Sequence, residues 1–139
     1  MKKLQWWFRV VGMFYLLLTA VNLYGIFINK QFLQQNIPFP FNHAGFGITL
    51  DFWFTFVLDL LVTGAFMLWA SRNPLKNLNL VWLIIFLEIV RGIADDLYMI
   101  GRGYNAGFYA GFITVHVIII LTGFIFLRQG KIVLKAAGN

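Results

Sequence analysis

Four long apolar segments constrain the fold of this chain more than any other feature of its sequence. They cover about residues 5–28, 51–70, 79–100 and 107–127, and each is close to the roughly 20 helical residues that cross a bilayer. Strands are much shorter than this, so each segment is predicted to be a helix. The sequence therefore predicts an all-α fold, a four-helix transmembrane bundle in which residues 1–139 form a single integral membrane domain.

Composition agrees with a membrane protein. Apolar residues make up 60% of the chain and charged residues 12%, against about 45–50% and 25% in soluble domains, which excludes a water-soluble globule. There are no cysteines, which excludes disulfides, thiol redox chemistry and cysteine-ligated metals. The net charge of +6 does not indicate nucleic acid, because the cations lie at the ends of apolar segments. The bilayer is the expected partner.

The basic residues are distributed unequally between the two sides of the predicted bundle. Only Lys30 and Arg102 fall in the first and third connections. This asymmetry predicts that both termini of this multi-pass membrane protein are cytoplasmic. The cations on the cytoplasmic side are Lys2, Lys3, Arg72, Lys76, Arg128, Lys131 and Lys135.

The third apolar segment contains a stripe of charged and polar residues, within FLEIVRGIADDLYMIGRGY. Its members alternate between spacings of three and four residues, which places them on one helix face. Two charges near the bilayer centre, Glu88 and Arg91, cost roughly 5–7 kcal/mol on the insertion scale, about as much as the apolar residues of the segment return. The stripe must therefore face protein or water, with Glu88 and Arg91 paired. Its members are Glu88, Arg91, Asp95, Tyr98 and Arg102.

The other segments carry polar residues at matching depths. We therefore expect a polar cluster inside the bundle, and the apolar continuation of the stripe toward the cytoplasm predicts a pocket open to the outside. A buried ion pair that only fixes helix register is the alternative for each charged residue. The cluster is centred on Asp59, Glu88, Arg91 and His116 and flanked by Tyr15, Asn22, Asp95 and Tyr98.

The sequence offers little support for metal or cofactor chemistry. There is no Glu-x-x-His pair, and Arg91 would repel a cation within the cluster. His116 is the only histidine within an apolar segment, whereas a haem site normally uses two. Nucleotide-binding loops are absent. We therefore expect no metal and no cofactor.

The chain resembles a known family over nearly its whole length. The stretches QWWFRVVGMFYLLLTAVNL, DFWFTFVLDLLVTGAFMLWASRNP, LVWLIIFLEIVRGIADDLYMIGRGY and FITVHVIIILTGFIFLR are similar to the BphX-like family of small membrane proteins. That family lies within a wider group of four-helix membrane proteins similar to DoxX, and its members occur near genes for aromatic-compound breakdown. The resemblance implies the four-helix architecture and a bacterial inner membrane, without an established activity. No redox motif matches, so no electron-transfer role is assigned to any residue.

These observations predict a non-enzymatic protein that binds or helps move a small organic molecule, or that serves as an accessory membrane subunit. Arg91 would anchor an anionic group, Glu88 and Asp59 would hold Arg91 or exchange protons, and His116 would donate a hydrogen bond. The alternative is a membrane-embedded acid/base enzyme of the isomerase type acting on a lipophilic substrate. The partners considered are a small organic ligand and a homo-oligomer or larger membrane complex.

Overall fold

A computed structural model describes residues 2–34 and 40–137, and these are almost entirely helical, with no strand among them. A turn of 3-10 helix, Pro74–Asn77, precedes α4, and a π-helix, Glu88–Ala94, joins α4 to α5. The all-α prediction is confirmed. The α-helices are α1 (Lys2–Phe27), α2 (Lys30–Gln34), α3 (Ala44–Ala70), α4 (Leu78–Leu87), α5 (Asp95–Gly101) and α6 (Ala106–Ala137).

Four helical stretches in the described part of the chain are long and apolar enough to cross a membrane. This confirms the predicted four-helix transmembrane class, while the cytoplasmic position of both termini stays a prediction. The stretches are Lys2–Phe27, Ala44–Ala70, Pro74–Gly101 and Ala106–Ala136.

Two helices extend at least seven residues beyond their predicted limits. α3 begins at Ala44 instead of near residue 51, and α6 continues to Ala137 instead of ending near residue 127. At the start of α3, Nδ1 of His43 accepts a hydrogen bond from the backbone N–H of Gly45, 3.0 Å away, in the manner of an N-cap. The glycines of this first turn have low helix propensity, so the sequence pattern gave no sign of a helix before residue 51.

The π-helix changes which side chains share a face in the third membrane-length stretch. A π-helix closes i→i+5 hydrogen bonds, so it takes up about one more residue per turn than an α-helix does. Every residue after it is therefore rotated relative to an uninterrupted α-helix. From the start of the π-helix onward the buried positions of this stretch are Glu88, Gly92 and Asp96, four residues apart, whereas Asp95 and Tyr98 are exposed.

The chain packs as two compact units, Met1–Arg9 with Ala70–Asn139, and Val10–Trp69. The single integral membrane domain stays a prediction. In the first unit, Nε1 of Trp7 donates a hydrogen bond to Oγ1 of Thr122 at 3.0 Å. Gly123, one residue further on, leaves room for the Trp7 ring, since a Cβ there would lie 3.1 Å from it. The start of α1 therefore packs closely on α6.

In the second unit, α1 and α3 approach one another at a pair of glycines. A Cβ on Gly64 would lie 2.9 Å from the backbone oxygen of Gly12, which is closer than a real Cβ can come. Small residues of this kind let membrane helices pack backbone against backbone. Nearer the other end of α1, Nε1 of Trp53 donates a 2.8 Å hydrogen bond to Oδ1 of Asn22.

Candidate functional site

A carboxylate and an imidazole meet inside the first unit. Glu88, the first residue of the π-helix, is only 1% exposed. Its Oε2 is hydrogen-bonded to Nδ1 of His116 in α6. When Glu88 is ionised its carboxylate can only accept, and the Nδ1–H of His116 then donates this bond. This hydrogen bond holds the ring in one orientation, in which Nε2 is the nitrogen directed away from Glu88.

Gly92 makes room for the histidine ring. A Cβ on Gly92 would lie 2.6 Å from Nδ1 of His116 and 2.7 Å from Cγ. Any side chain at this position would therefore overlap the ring. Gly92 follows Glu88 by four residues along the buried face, so the ring rests directly against the backbone of the π-helix.

Asp96 lies on the opposite side of the ring from Glu88. Asp96 is buried, with 7% of its surface exposed, and its Oδ2 lies 3.5 Å from Nε2 of His116. This separation suits charge attraction, but within residues 2–34 and 40–137 no donor reaches Oδ2 in hydrogen-bond geometry. An unsatisfied buried acceptor costs about 1–3 kcal/mol, and more if it is charged. The site therefore presents a buried carboxylate oxygen in need of a donor.

We call the three side chains the carboxylate–imidazole cluster: Glu88 at Nδ1 of the ring, His116, and Asp96 on the Nε2 side. With Nδ1–H donated to Glu88, a neutral imidazole has an unprotonated Nε2, so this nitrogen and Oδ2 of Asp96 are both acceptors. A proton placed on either of them, or a donor group from another molecule, removes this conflict. The arrangement can thus hold a proton or bind a hydrogen-bond donor.

The cluster has aromatic neighbours on α6. The Phe112 ring lies one turn before His116, with ring centroids 6.3 Å apart. Tyr109 lies a further turn back and is buried, with Tyr104 and Phe108 in edge contact. Apolar surroundings lower the local dielectric, which strengthens the satisfied hydrogen bonds and raises the cost of the unsatisfied one.

The structure brings together only some of the predicted site residues of the third stretch and α6. Glu88 and His116 are in contact, and Arg91 is half-buried. Asp95 and Tyr98 are exposed, and Asp96 takes the buried position that the α-helical spacing assigned to Asp95. The i→i+5 turns of the π-helix account for this one-residue change.

The remaining predicted site residues lie in the second unit. Asp59 is exposed, and Tyr15 is buried. The half-buried Asn22 donates to the backbone oxygen of Leu18 at 2.7 Å and accepts from Trp53. Asn22 therefore has hydrogen-bond partners within its own unit.

Asp96 and Gly92 were not among the site residues predicted from the sequence. The adjacent pair Asp95-Asp96 was visible in the sequence, but α-helical periodicity selects Asp95 for the face of Glu88. Gly92 gave a weaker signal: a glycine four residues from a buried charge is compatible with close packing, although it does not identify the group that packs there. Among the described residues, no three His, Asp or Glu side chains are placed to hold a metal ion.

Comparison with known proteins identifies the family. The chain belongs to the BphX-like family, whose model matches residues 1–132, so the resemblance found in the sequence is confirmed. No curated protein and no solved structure matches it.

The close fit between Gly92 and His116 gives a testable prediction. Gly92→Ala places a methyl group against the ring and separates it from Glu88, so the free energy of unfolding is expected to fall by about 1–3 kcal/mol. Gly101→Ala is the matched control, because a Cβ there meets nothing within 4 Å. Reversible unfolding of the purified protein in mixed detergent micelles measures both variants.

The same substitution in His116→Ala protein shows whether the histidine ring causes the loss of stability. In His116→Ala protein the overlap is gone, so Gly92→Ala is expected to change stability no more than Gly101→Ala does. An equal loss with and without the His116 ring would contradict the proposed packing.

Proposed function

We propose that this member of the BphX-like family is a multi-pass inner-membrane protein that binds or helps move a small organic molecule. The carboxylate–imidazole cluster of Glu88, His116 and Asp96 forms the polar end of its binding site. The protein need not catalyse a reaction. Four membrane-length helices support the membrane location, and the position of the cluster within two of them makes it a functional candidate.

The unsatisfied oxygen of Asp96 is the observation that supports this proposal most directly. Oδ2 is buried and has no donor among the residues described, although it lies 3.5 Å from Nε2 of His116. A ligand hydroxyl or ammonium group would supply the missing donor and offset the cost of burying a bare acceptor. The sequence alone suggested an anionic ligand held by Arg91. Two carboxylates and one imidazole instead favour a ligand that donates hydrogen bonds.

Glu88 has a positioning role in this proposal. By accepting from Nδ1–H it holds the imidazole in one orientation, with Nε2 directed toward Asp96. A ligand donor at Oδ2 would then lie beside Nε2, which could accept a second hydrogen bond or hold a proton. The site would recognise a group with one or two polar hydrogens at the end of an otherwise apolar molecule.

Exchange of one carboxyl group for an amide tests the site. In native mass spectra of protein released from gentle detergent, wild type is expected to retain a small molecule of defined mass. Asp96→Asn is expected to lower its occupancy roughly tenfold or more, since a charge-assisted hydrogen bond is worth about 1.5–3 kcal/mol. Asp95→Asn, the same change at the exposed neighbouring position, is expected to leave the occupancy unchanged.

Two results would contradict the proposal. One is wild-type protein without any retained molecule. The other is retention of the same molecule, at the same occupancy, by Asp96→Asn. If the spectra instead show a second protein chain and no small molecule, the chain is an accessory subunit of a larger membrane complex.

One feature favours the alternative of an acid/base enzyme. Glu88 engages Nδ1 of His116 and leaves Nε2 directed away from it, which is how a carboxylate orients a catalytic histidine. A lipophilic substrate could then exchange a proton with Nε2. Rearrangement of a bound molecule by wild type but not by His116→Gln, with binding retained in both, distinguishes the enzyme from the binding protein.

We propose that the protein lies in the membrane with both termini in the cytoplasm, because most of its cations fall on that side. Because the chain has no cysteine, introduced cysteines report their own accessibility. An impermeant maleimide is expected to label Arg102→Cys in intact spheroplasts and Arg72→Cys only after permeabilisation. Both positions are exposed, so the comparison is matched. The opposite labelling order would reverse the orientation.

A further inference from the structure

A cavity lies at one end of the first unit, away from the carboxylate–imidazole cluster. It is formed by the start of α1, the 3-10 turn before α4 and the last turns of α6, and its volume is about 420 Å³. Ligand pockets in proteins are commonly about 300–1,000 Å³. The cavity is therefore large enough for part of a small amphiphilic molecule.

The walls and the rim of this cavity differ in chemistry. Leu4, Leu75, Phe126 and Val133 contribute apolar surface. Polar groups come from Lys2, Lys3 and Gln129, and the two lysines are exposed on the first turn of α1. The lining thus combines an apolar interior with ammonium and amide donors.

The charge around the cavity has one sign. The sequence contains no Asp or Glu in residues 1–9, 70–87 or 97–139, which include every segment that lines the cavity. Lys2 and Lys3 therefore have no acidic neighbour along the chain to neutralise them. They also lie at the end of a membrane-length helix, where lipid headgroups are found.

From these observations we propose that the cavity binds an anionic phospholipid. The lipid phosphate lies against the ammonium groups of Lys2 and Lys3 and accepts from the side-chain amide of Gln129. An acyl chain enters the apolar interior between Phe126 and Val133. Basic pockets between membrane helices bind anionic headgroups by this combination of charge and apolar contact. This site is separate from the carboxylate–imidazole cluster, so either proposal can fail without the other.

Lipid titration tests the charge requirement. Delipidated full-length protein in detergent is titrated with phosphatidylglycerol or phosphatidylcholine and followed by native mass spectrometry. Phosphatidylglycerol is expected to bind at least tenfold more tightly. The double variant Lys2→Gln/Lys3→Gln is expected to weaken it about 30-fold, whereas the control Arg128→Gln/Lys135→Gln, outside the cavity, changes it less than about threefold.

A second pair of variants tests the cavity itself. Val133→Trp places an indole in the cavity and is expected to weaken phosphatidylglycerol binding at least tenfold. Ile132→Trp, on the neighbouring residue that does not line the cavity, is expected to leave binding unchanged. Equal binding of the two lipids by wild type would overturn the proposal. Equal losses of affinity in Lys2→Gln/Lys3→Gln and Arg128→Gln/Lys135→Gln would also overturn it, since they would indicate general attraction to the basic surface. Undiminished binding of phosphatidylglycerol by Val133→Trp would do the same.

Discussion

The bond between Glu88 and His116 is the interaction on which the first unit depends. A carboxylate in the middle of a membrane-length helix is costly in hydrocarbon, by about 2.5–3.5 kcal/mol even on the insertion scale. Glu88 avoids this cost because it is almost fully buried and hydrogen-bonded to an imidazole of α6. The requirement to bury one charge therefore determines which face of the third stretch meets α6.

Two local features determine what surrounds the His116 ring at that contact. The absence of a side chain at Gly92 lets the ring lie against the backbone. The π-helix rotates the residues that follow it, so that Asp96, rather than Asp95, faces the same ring. π-helical turns are frequent at functional sites. Here the π-helix brings the Asp96 carboxylate to a ring whose Nδ1 is already hydrogen-bonded to Glu88. Oδ2 of Asp96 is therefore an acceptor without a donor among the described residues.

The sequence was most informative where composition and periodicity act over many residues. The four apolar runs predicted the four membrane-length helices, and the family resemblance was visible in the same runs. Glu88 and His116 could be singled out because each is an ionisable group within an apolar run. The π-helix could not be predicted, since its i→i+5 hydrogen bonds have no sequence pattern of their own. Asp96 was missed for that reason. Gly92 was missed because a glycine does not identify the group that packs against it, and the early start of α3 was hidden by its glycines.

The chain contains two histidines, His43 and His116, so the central contact can be observed directly. In a His43→Gln background, the ring nitrogens of ¹⁵N-histidine-labelled protein in bilayers report on His116 alone. We expect Nδ1 of His116 to be protonated and hydrogen-bonded, and its resonance to shift when Glu88 is changed to Gln but not when Asp95 is changed to Asn. Unchanged His116 resonances in the Glu88→Gln protein would show that the two side chains do not meet in the membrane.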